Sequence, residues 1–242
     1  MKFIGVIPAR YKSSRFPGKP LAQICGKPMV WWVYQQAKKV EELDALYVAT
    51  DDERIAAACE EYGLQYMMTS ESHRTGADRV AEVASKVDGD IFLNIKGDEP
   101  LINPEEIRQL IRFMEESGVY YGGLKTKITT DEERMMPNVV KAITNLEGDA
   151  LYFSRMAVPY NFEYGYAYRV VGLFAYEKQF LLKFQSWGQS VLELSENGVE
   201  MLRALEHGYT IRMQETEYTS VGVDFKEQIP VIERMIKERG NR

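Results

Sequence analysis

Along the chain, short runs that are apolar throughout alternate with longer stretches whose apolar residues recur every three or four positions. The first kind includes Phe3-Ile4-Gly5-Val6-Ile7 and Ile91-Phe92-Leu93-Asn94-Ile95, and such runs fit strands covered on both faces. Ala45 to Ala49 and Leu64 to Met68 read as two further strands. The second kind predicts helices. One runs from Met29 to Val40, opened by Pro28; another reaches about Glu61 with Asp51-Asp52-Glu53 in its first turn; a third spans Gly76 to Val87. Asn103-Pro104-Glu105-Glu106 supplies a cap and a first-turn proline for a fourth. Strand and helix in alternation at this spacing predict right-handed βαβ units and a parallel sheet with helices on both faces. The second half is less regular. Strands are predicted at Tyr120 to Ile128, Val139 to Ile143, Ala150 to Ser154, Tyr166 to Tyr176 and 209–215, with helices at 178–185, 191–206 and 225–238. With no internal repeat and no Pro- or Ser-rich linker, residues 1–242 read as one α/β domain with a mixed, mostly parallel sheet.

Composition narrows the class. The 242 residues are 45% hydrophobic and 27% charged, ordinary for a globular chain. Cys25 and Cys59 fall in no metal-ligand or CxxC spacing, which points to a reducing cytoplasm. No apolar run approaches the ~18 residues needed to cross a bilayer, and no basic segment followed by an apolar one opens the chain. Charge is unevenly spread. Residues 1–40 hold eight Lys and Arg and no acid, leaving 22 cations against 36 acids, a net −14, in the remainder. Nucleic acid asks for a broad basic surface, whereas a compact polyanion asks only for a basic loop.

In open parallel sheets ligands sit beyond the carboxyl ends of the strands, and the candidate chemistry lies there. After the first strand, Arg10, Lys12, Arg15 and Lys19 fall within ten residues, among Ser13, Ser14 and Gly18. Guanidinium groups grip two phosphate oxygens at once and Lys acts as a point charge, so the loop suits a triphosphate. It is neither GxxxxGK[ST] nor GxGxxG. After the third strand, Arg74-Thr75-Gly76-Ala77-Asp78-Arg79 offers backbone N–H groups and close approach to a base or ribose; Asp78 and Arg79 equally suit a pair on the helix surface. His73, in the same loop, reads as a bystander. After the fourth strand comes Gly97-Asp98, a carboxylate suited to Mg²⁺. Val221-Gly222-Val223-Asp224 repeats that grammar, although Asp224 also suits a helix cap. Asp88-Gly89-Asp90 matches a metal-binding DxD but precedes the fourth strand, so it reads as a turn.

Together these segments resemble the 3-deoxy-manno-octulosonate (Kdo) cytidylyltransferase family. The resemblance rests on Ile7-Pro8-Ala9-Arg10, Ser13 to Leu21, Gly26-Lys27-Pro28-Met29, Tyr47 to Asp51, Thr75 to Arg79, Gly97-Asp98-Glu99-Pro100, Ala150 to Arg155 and Gly222-Val223-Asp224, in order along nearly the whole chain. It implies a Rossmann-like nucleotide-diphospho-sugar transferase fold, usually dimeric. The implied activity is Mg²⁺-dependent coupling of CTP to a sugar acid, with release of pyrophosphate, for lipopolysaccharide synthesis. Carried over, Arg10, Ser13, Arg15 and Lys19 would bind the triphosphate, Arg74 to Arg79 would lie along the cytidine, and Asp98 and Asp224 would hold Mg²⁺. Arg155 and Glu200 would face the sugar. Four places on the sugar side depart from the family's pattern. Lys96 replaces a glutamine, Val170 a histidine, Phe174 a tyrosine and Met201 a glutamine. Nucleotide activation is therefore expected with an altered acceptor pocket. The run of aromatic residues from Tyr152 to Tyr168 suits either a dimer surface or a pocket wall.

Overall fold

The computed structural model describes residues 1–12, 16–161, 167–218 and 220–240, with the side chains of the last two left aside. The elements run in the order β1 (Phe3–Ala9), β2 (Gln23–Ile24), β3 (Lys27–Pro28), α1 (Met29–Ala37), β4 (Ala45–Thr50), α2 (Glu53–Glu61) and β5 (Tyr66–Met68). There follow α3 (Gly76–Lys86), β6 (Ile91–Asn94), α4 (Pro104–Ser117), β7 (Tyr121–Lys127), α5 (Asp131–Met135), β8 (Lys141–Thr144), β9 (Ala150–Ser154) and β10 (Tyr168–Glu177). The chain ends with α6 (Lys178–Ser186), α7 (Val191–Ser195), α8 (Met201–Glu206), β11 (Arg212–Glu215) and α9 (Ile229–Gly240).

The main path of the sheet is β11-β7-β10-β6-β1-β4-β5, with β8 and β9 attached beside β10. Along that path only β10 runs against the others, as its antiparallel pairings with β6 and β7 require. Six carboxyl ends therefore share one edge, and the amino end of β10 joins them there. The alternation within β1 explains the layers. Phe3 and Ile7 face a core built with α1, α2 and α4, whereas Ile4 and Val6 face one built with α3, α6 and α8. Both cores are nearly dry, and each large apolar side chain enclosed contributes about 1.5–3 kcal/mol. A third, smaller core gathers Ile24, Met29, Leu101, Val223 and Ile232, with Phe16 and Trp32 packed against it.

The sequence missed some elements and ran others together. The helix predicted over 191–206 is two, α7 and α8, because Asn197 and Gly198 take positive φ of 51° and 80° between them. That conformation ends a helix. Hairpin β2–β3 turns on Cys25 and Gly26, both at positive φ; Cys-Gly lacks the Asn-Gly signature that would have announced it. The five-residue α5 has no counterpart among the predicted elements, and the last helix begins at Ile229 after a 3-10 turn over Lys226–Gln228.

Candidate active site

A cleft of about 820 Å³ opens where the carboxyl ends of β1 and β6 meet the amino end of β10. The two strand tips lie so close that a Cβ on Gly97 would stand 2.7 Å from the Pro8 carbonyl oxygen. Among the predicted residues, Arg10, Lys19, Arg74, Thr75, Gly76, Arg79, Lys96, Asp98, Arg155, Val170, Phe174, Glu200, Met201 and Asp224 all line this cleft. Asp78 stands behind its wall; Ser13 and Arg15 lie outside the described residues.

Charge concentrates around Asp98. Lys19 Nζ donates to Asp98 Oδ2 at 2.6 Å and to the Val223 carbonyl at 2.9 Å, and Val223 N donates to the Asp98 carbonyl at 2.8 Å. These bonds bring the loop after β1, the tip of β6 and the segment before α9 to one point. Lys96 Nζ lies 3.0 Å from Glu99 Oε1 and 3.7 Å from Asp98 Oδ1. Asp98 Oδ1 is buried and has no hydrogen-bond partner among the described residues. Burial pulls the Asp98 carboxyl up, but Lys96 and Lys19 outweigh it and hold the group below the usual carboxylate range. Burial likewise opposes the charge on Lys96, whose ammonium is nevertheless strengthened by Glu99, Asp98 and Asp224. Asp224 stands just before the 3-10 turn that leads into the last helix, and Gln228 reaches back to its backbone. Gln228 Oε1 closes that turn, accepting from the backbone N–H groups of Asp224 and Phe225 at 2.7 and 2.9 Å.

The start of α3 forms the next wall. Thr75 Oγ1 accepts from Asp78 N at 3.2 Å, and Asp78 Oδ2 accepts from Thr75 N at 3.1 Å. This reciprocal box satisfies two of the helix's orphan donors, and it gives Asp78 a structural task. Asp78 Oδ1 also takes Arg203 Nη1 at 3.1 Å, while Arg203, 1% exposed, grips both oxygens of Glu193 at 2.9 Å. Arg79 is equally enclosed, donating to Thr69 and, at 3.0 Å, to Asp51. Gly76 lets the wall pack closely, since a Cβ there would come within 3.1 Å of Asn94 Nδ2. His73 pairs with Glu82 at 2.5 Å, and Arg74 reaches Gln189 at 2.6 Å.

The remaining wall comes from β10 and the loops around β8 and β9. Arg155 donates to the carbonyls of Glu196, Asn197 and Pro137 at 2.9, 3.2 and 3.0 Å, so its guanidinium buckles two loops together. Lys141, fully buried, donates to the carbonyls of Met136, Val139 and Arg155 at 2.9, 2.7 and 2.8 Å, matching its three protons to three acceptors. Phe174 and Met201 are 4% and 6% exposed, closer to core than to contact surface. Glu200 is pushed up to about 7 by burial, with Asp78 adding to the push and Thr75 and Arg203 pulling against it. Sequence reasoning missed Asn138, Arg169, Gln189 and Ser220, which also line the cleft. Asn138 precedes β8, Arg169 stands at the start of β10, and Gln189 and Ser220 lie in connections, where a search at strand carboxyl ends does not look.

Comparison with known proteins places this geometry. The cytidylyltransferase family model matches residues 4–215. A curated 3-deoxy-manno-octulosonate cytidylyltransferase of Geotalea uraniireducens is 46% identical, covering 98% of this chain and 100% of its own. The chain belongs to that family. The cytidylyltransferase of Geobacter metallireducens is 45% identical, with 93% of each chain covered. A solved CMP:2-keto-3-deoxy-manno-octonic acid synthetase, complexed with CTP, shares 37% identity at a TM-score of 0.93 and covers 99% of this chain and 100% of its own. A 4-diphosphocytidyl-2C-methyl-D-erythritol synthase from Anaerococcus prevotii, at 16% identity and a TM-score of 0.67, shares the fold. This cytidylyltransferase thus has the α/β architecture with a mixed, mostly parallel sheet that its sequence predicts.

Proposed function

We propose that the chain transfers CMP from CTP to the anomeric hydroxyl of Kdo and releases pyrophosphate. In this reading residues 1–242 act as one catalytic domain, in the cytoplasm and as a homodimer. The observation that carries the reading is the Asp98 carboxylate at the tip of β6, bound to Lys19 through one oxygen and without a hydrogen bond at the other among the described residues. Relatives of the same length that are named for this reaction, and a close structural neighbour complexed with CTP, support it.

Arg10 and Lys19 are the described cations placed to hold the triphosphate, with Ser13 and Arg15 completing the loop. The backbone at Thr75 and Gly76 lies along the cytidine, while Asp78 and Arg79 hold that wall in shape through Arg203, Thr69 and Asp51. Arg155, Glu200, Lys96, Val170, Phe174 and Met201 bound the acceptor side. The acceptor hydroxyl attacks the α-phosphorus in line as pyrophosphate departs, so no protein nucleophile is needed. Lys19 offsets charge that gathers on the phosphates.

The residues fit a divalent ion. Asp98 Oδ1 is a hard anionic oxygen without a hydrogen-bond partner among the described residues, and Asp224 lines the same cleft. Among the described residues no group of three or more His, Cys, Asp or Glu forms a cage, and Mg²⁺ needs none, since it takes one or two carboxylates and fills its sphere with phosphate and water. Asp98 and Asp224 would hold it, and when bound it would neutralise phosphate charge and acidify the attacking hydroxyl.

A second reading keeps the CTP chemistry with a different anionic acceptor. It is favoured by the packing of Phe174 and Met201 as core residues where the family pattern has polar ones. Pyrophosphate release with CTP, UTP and dTTP, each against Kdo and other sugar acids and phosphonates, decides between them. Turnover with CTP and Kdo supports the first reading, and turnover only with another acid supports the second. CTP binding without release on any acceptor leaves a binding module, and no CTP binding overturns both.

A further inference from the structure

Lys96 bounds the acceptor side of the cleft, and its ammonium also stands inside the acidic centre. Its ammonium is 3.0 Å from Glu99 Oε1, a charge-assisted hydrogen bond, and 3.7 Å from Asp98 Oδ1, beyond hydrogen-bond reach. Asp98 therefore keeps Oδ1 open, yet in the field of a fixed positive charge. The other oxygen is already taken by Lys19 at 2.6 Å.

Two features hold the ammonium in that place. The first is a groove. The register of β10 slips between Val171 and Phe174, and Gly172 stands in the slip. A Cβ on Gly172 would lie 1.8 Å from Lys96 Cδ and 2.8 Å from its Cε, so the bare backbone is the bed for the lysine stem. The second is Glu99, 6% exposed and with Oε2 lacking any hydrogen-bond partner among the described residues. Were Lys96 to swing away, a buried carboxylate would lose its only ion-pair partner among the described residues, which is costly. Lys96 is thus anchored, unlike a lysine on an open surface.

We infer that Lys96 is a built-in counter-charge that competes with a divalent ion for Asp98. It keeps the nucleotide-free site weak for metal and makes it attractive to phosphate, so that ion and CTP enter together. The inference rests on the reading that Asp98 holds the ion. Its physical basis is Coulombic: a like charge beside a ligand oxygen opposes a cation there and favours an anion.

Lys96→Met keeps most of the stem and removes the charge, and Lys96→Gln removes the charge with a polar end. Both are compared with the wild type, without nucleotide, by the electron paramagnetic resonance signal of free Mn²⁺. CTP binding in EDTA is measured by calorimetry on the same samples. Both variants are expected to bind Mn²⁺ about tenfold more tightly and metal-free CTP at least threefold more weakly. Opposite signs are the signature of charge; a merely structural strut would move both affinities the same way. Asp98→Asn is run in parallel and is expected to lose the Mn²⁺ site. If it does, and both Lys96 variants stay within twofold of wild type for Mn²⁺ and for CTP, the counter-charge inference is overturned. If Asp98→Asn binds Mn²⁺ as the wild type does, the assignment of Asp98 falls and takes the inference with it.

Discussion

At its amino end β6 is preceded by Asp88-Gly89-Asp90; at its carboxyl end it leads into Gly97-Asp98. The residue types are the same and the surroundings are not. Asp88 pairs with Lys2 at 2.6 Å in open solvent, where the two side chains are 86% and 57% exposed. Asp90 takes the backbone N–H of Lys2 at 2.8 Å and so fastens the strand's entry to β1. At the other end Lys19 meets Asp98 at the same 2.6 Å, but the pair is only 16% and 25% exposed. Water screens the first pair, and surface pairs of that kind contribute little. Partial burial strengthens the second and leaves one of its oxygens open. A short acidic motif therefore says little by itself; which end of a buried strand it stands at decides whether other segments converge on it.

The largest effect that sharpens this contrast is expected from Asp98→Asn. It should lower kcat/KM for pyrophosphate release at least a thousandfold, about 4 kcal/mol, with the melting temperature nearly unchanged. Activity within tenfold of wild type would break the comparison. A smaller effect should come from Glu106, fully buried on α4 with Ser220 donating to Oε2 at 2.8 Å. Burial and Glu99 push its carboxyl up to about 7, against the pull of Ser220 and Arg169. A raised carboxyl favours the protonated form in the fold. The stability it contributes is complete below pH ~4.5 and is lost as pH rises through about 7. Glu106→Gln should remove that loss, gaining about 3 kcal/mol on the wild type between pH 4 and 8 in urea titrations. Equal pH profiles for the two proteins would refute this. The smallest effect belongs to Asp88→Asn, which should leave turnover within twofold and stability within about 0.5 kcal/mol. A large loss of activity there would mean that the amino end also takes part.

Much of the first half of the fold was legible because β1, β4 and β6 are mostly apolar runs and α2 and α4 carry caps at their starts. Asn103 and Pro104, for example, start α4 as the sequence predicts. The position of Asp98 followed from strand direction alone. What could not be read depends on contacts distant in sequence. The reversal of β10 brings Arg169 to the ligand edge from the start of a strand, not its end. Arg203 looks like one more cation on a helix, yet it is enclosed by Glu193 and Asp78, 10 and 125 residues away. Lys141, in a predicted strand, gave no sign that three loop carbonyls would close around it.

The small core of Ile24, Met29, Leu101, Val223 and Ile232 joins the opening of the chain to its last helix, with Ile229, Met235 and Ile236 packed against it. That junction governs the order of events when the protein is made. A ribosome releases Lys19 and Asp98 long before Val223, whose carbonyl and N–H tie the two together. The long sheet can form during synthesis, but its charged edge is complete only once the final helix has emerged and docked. Nascent chains stalled before that point would hold most of the architecture and none of the assembled centre.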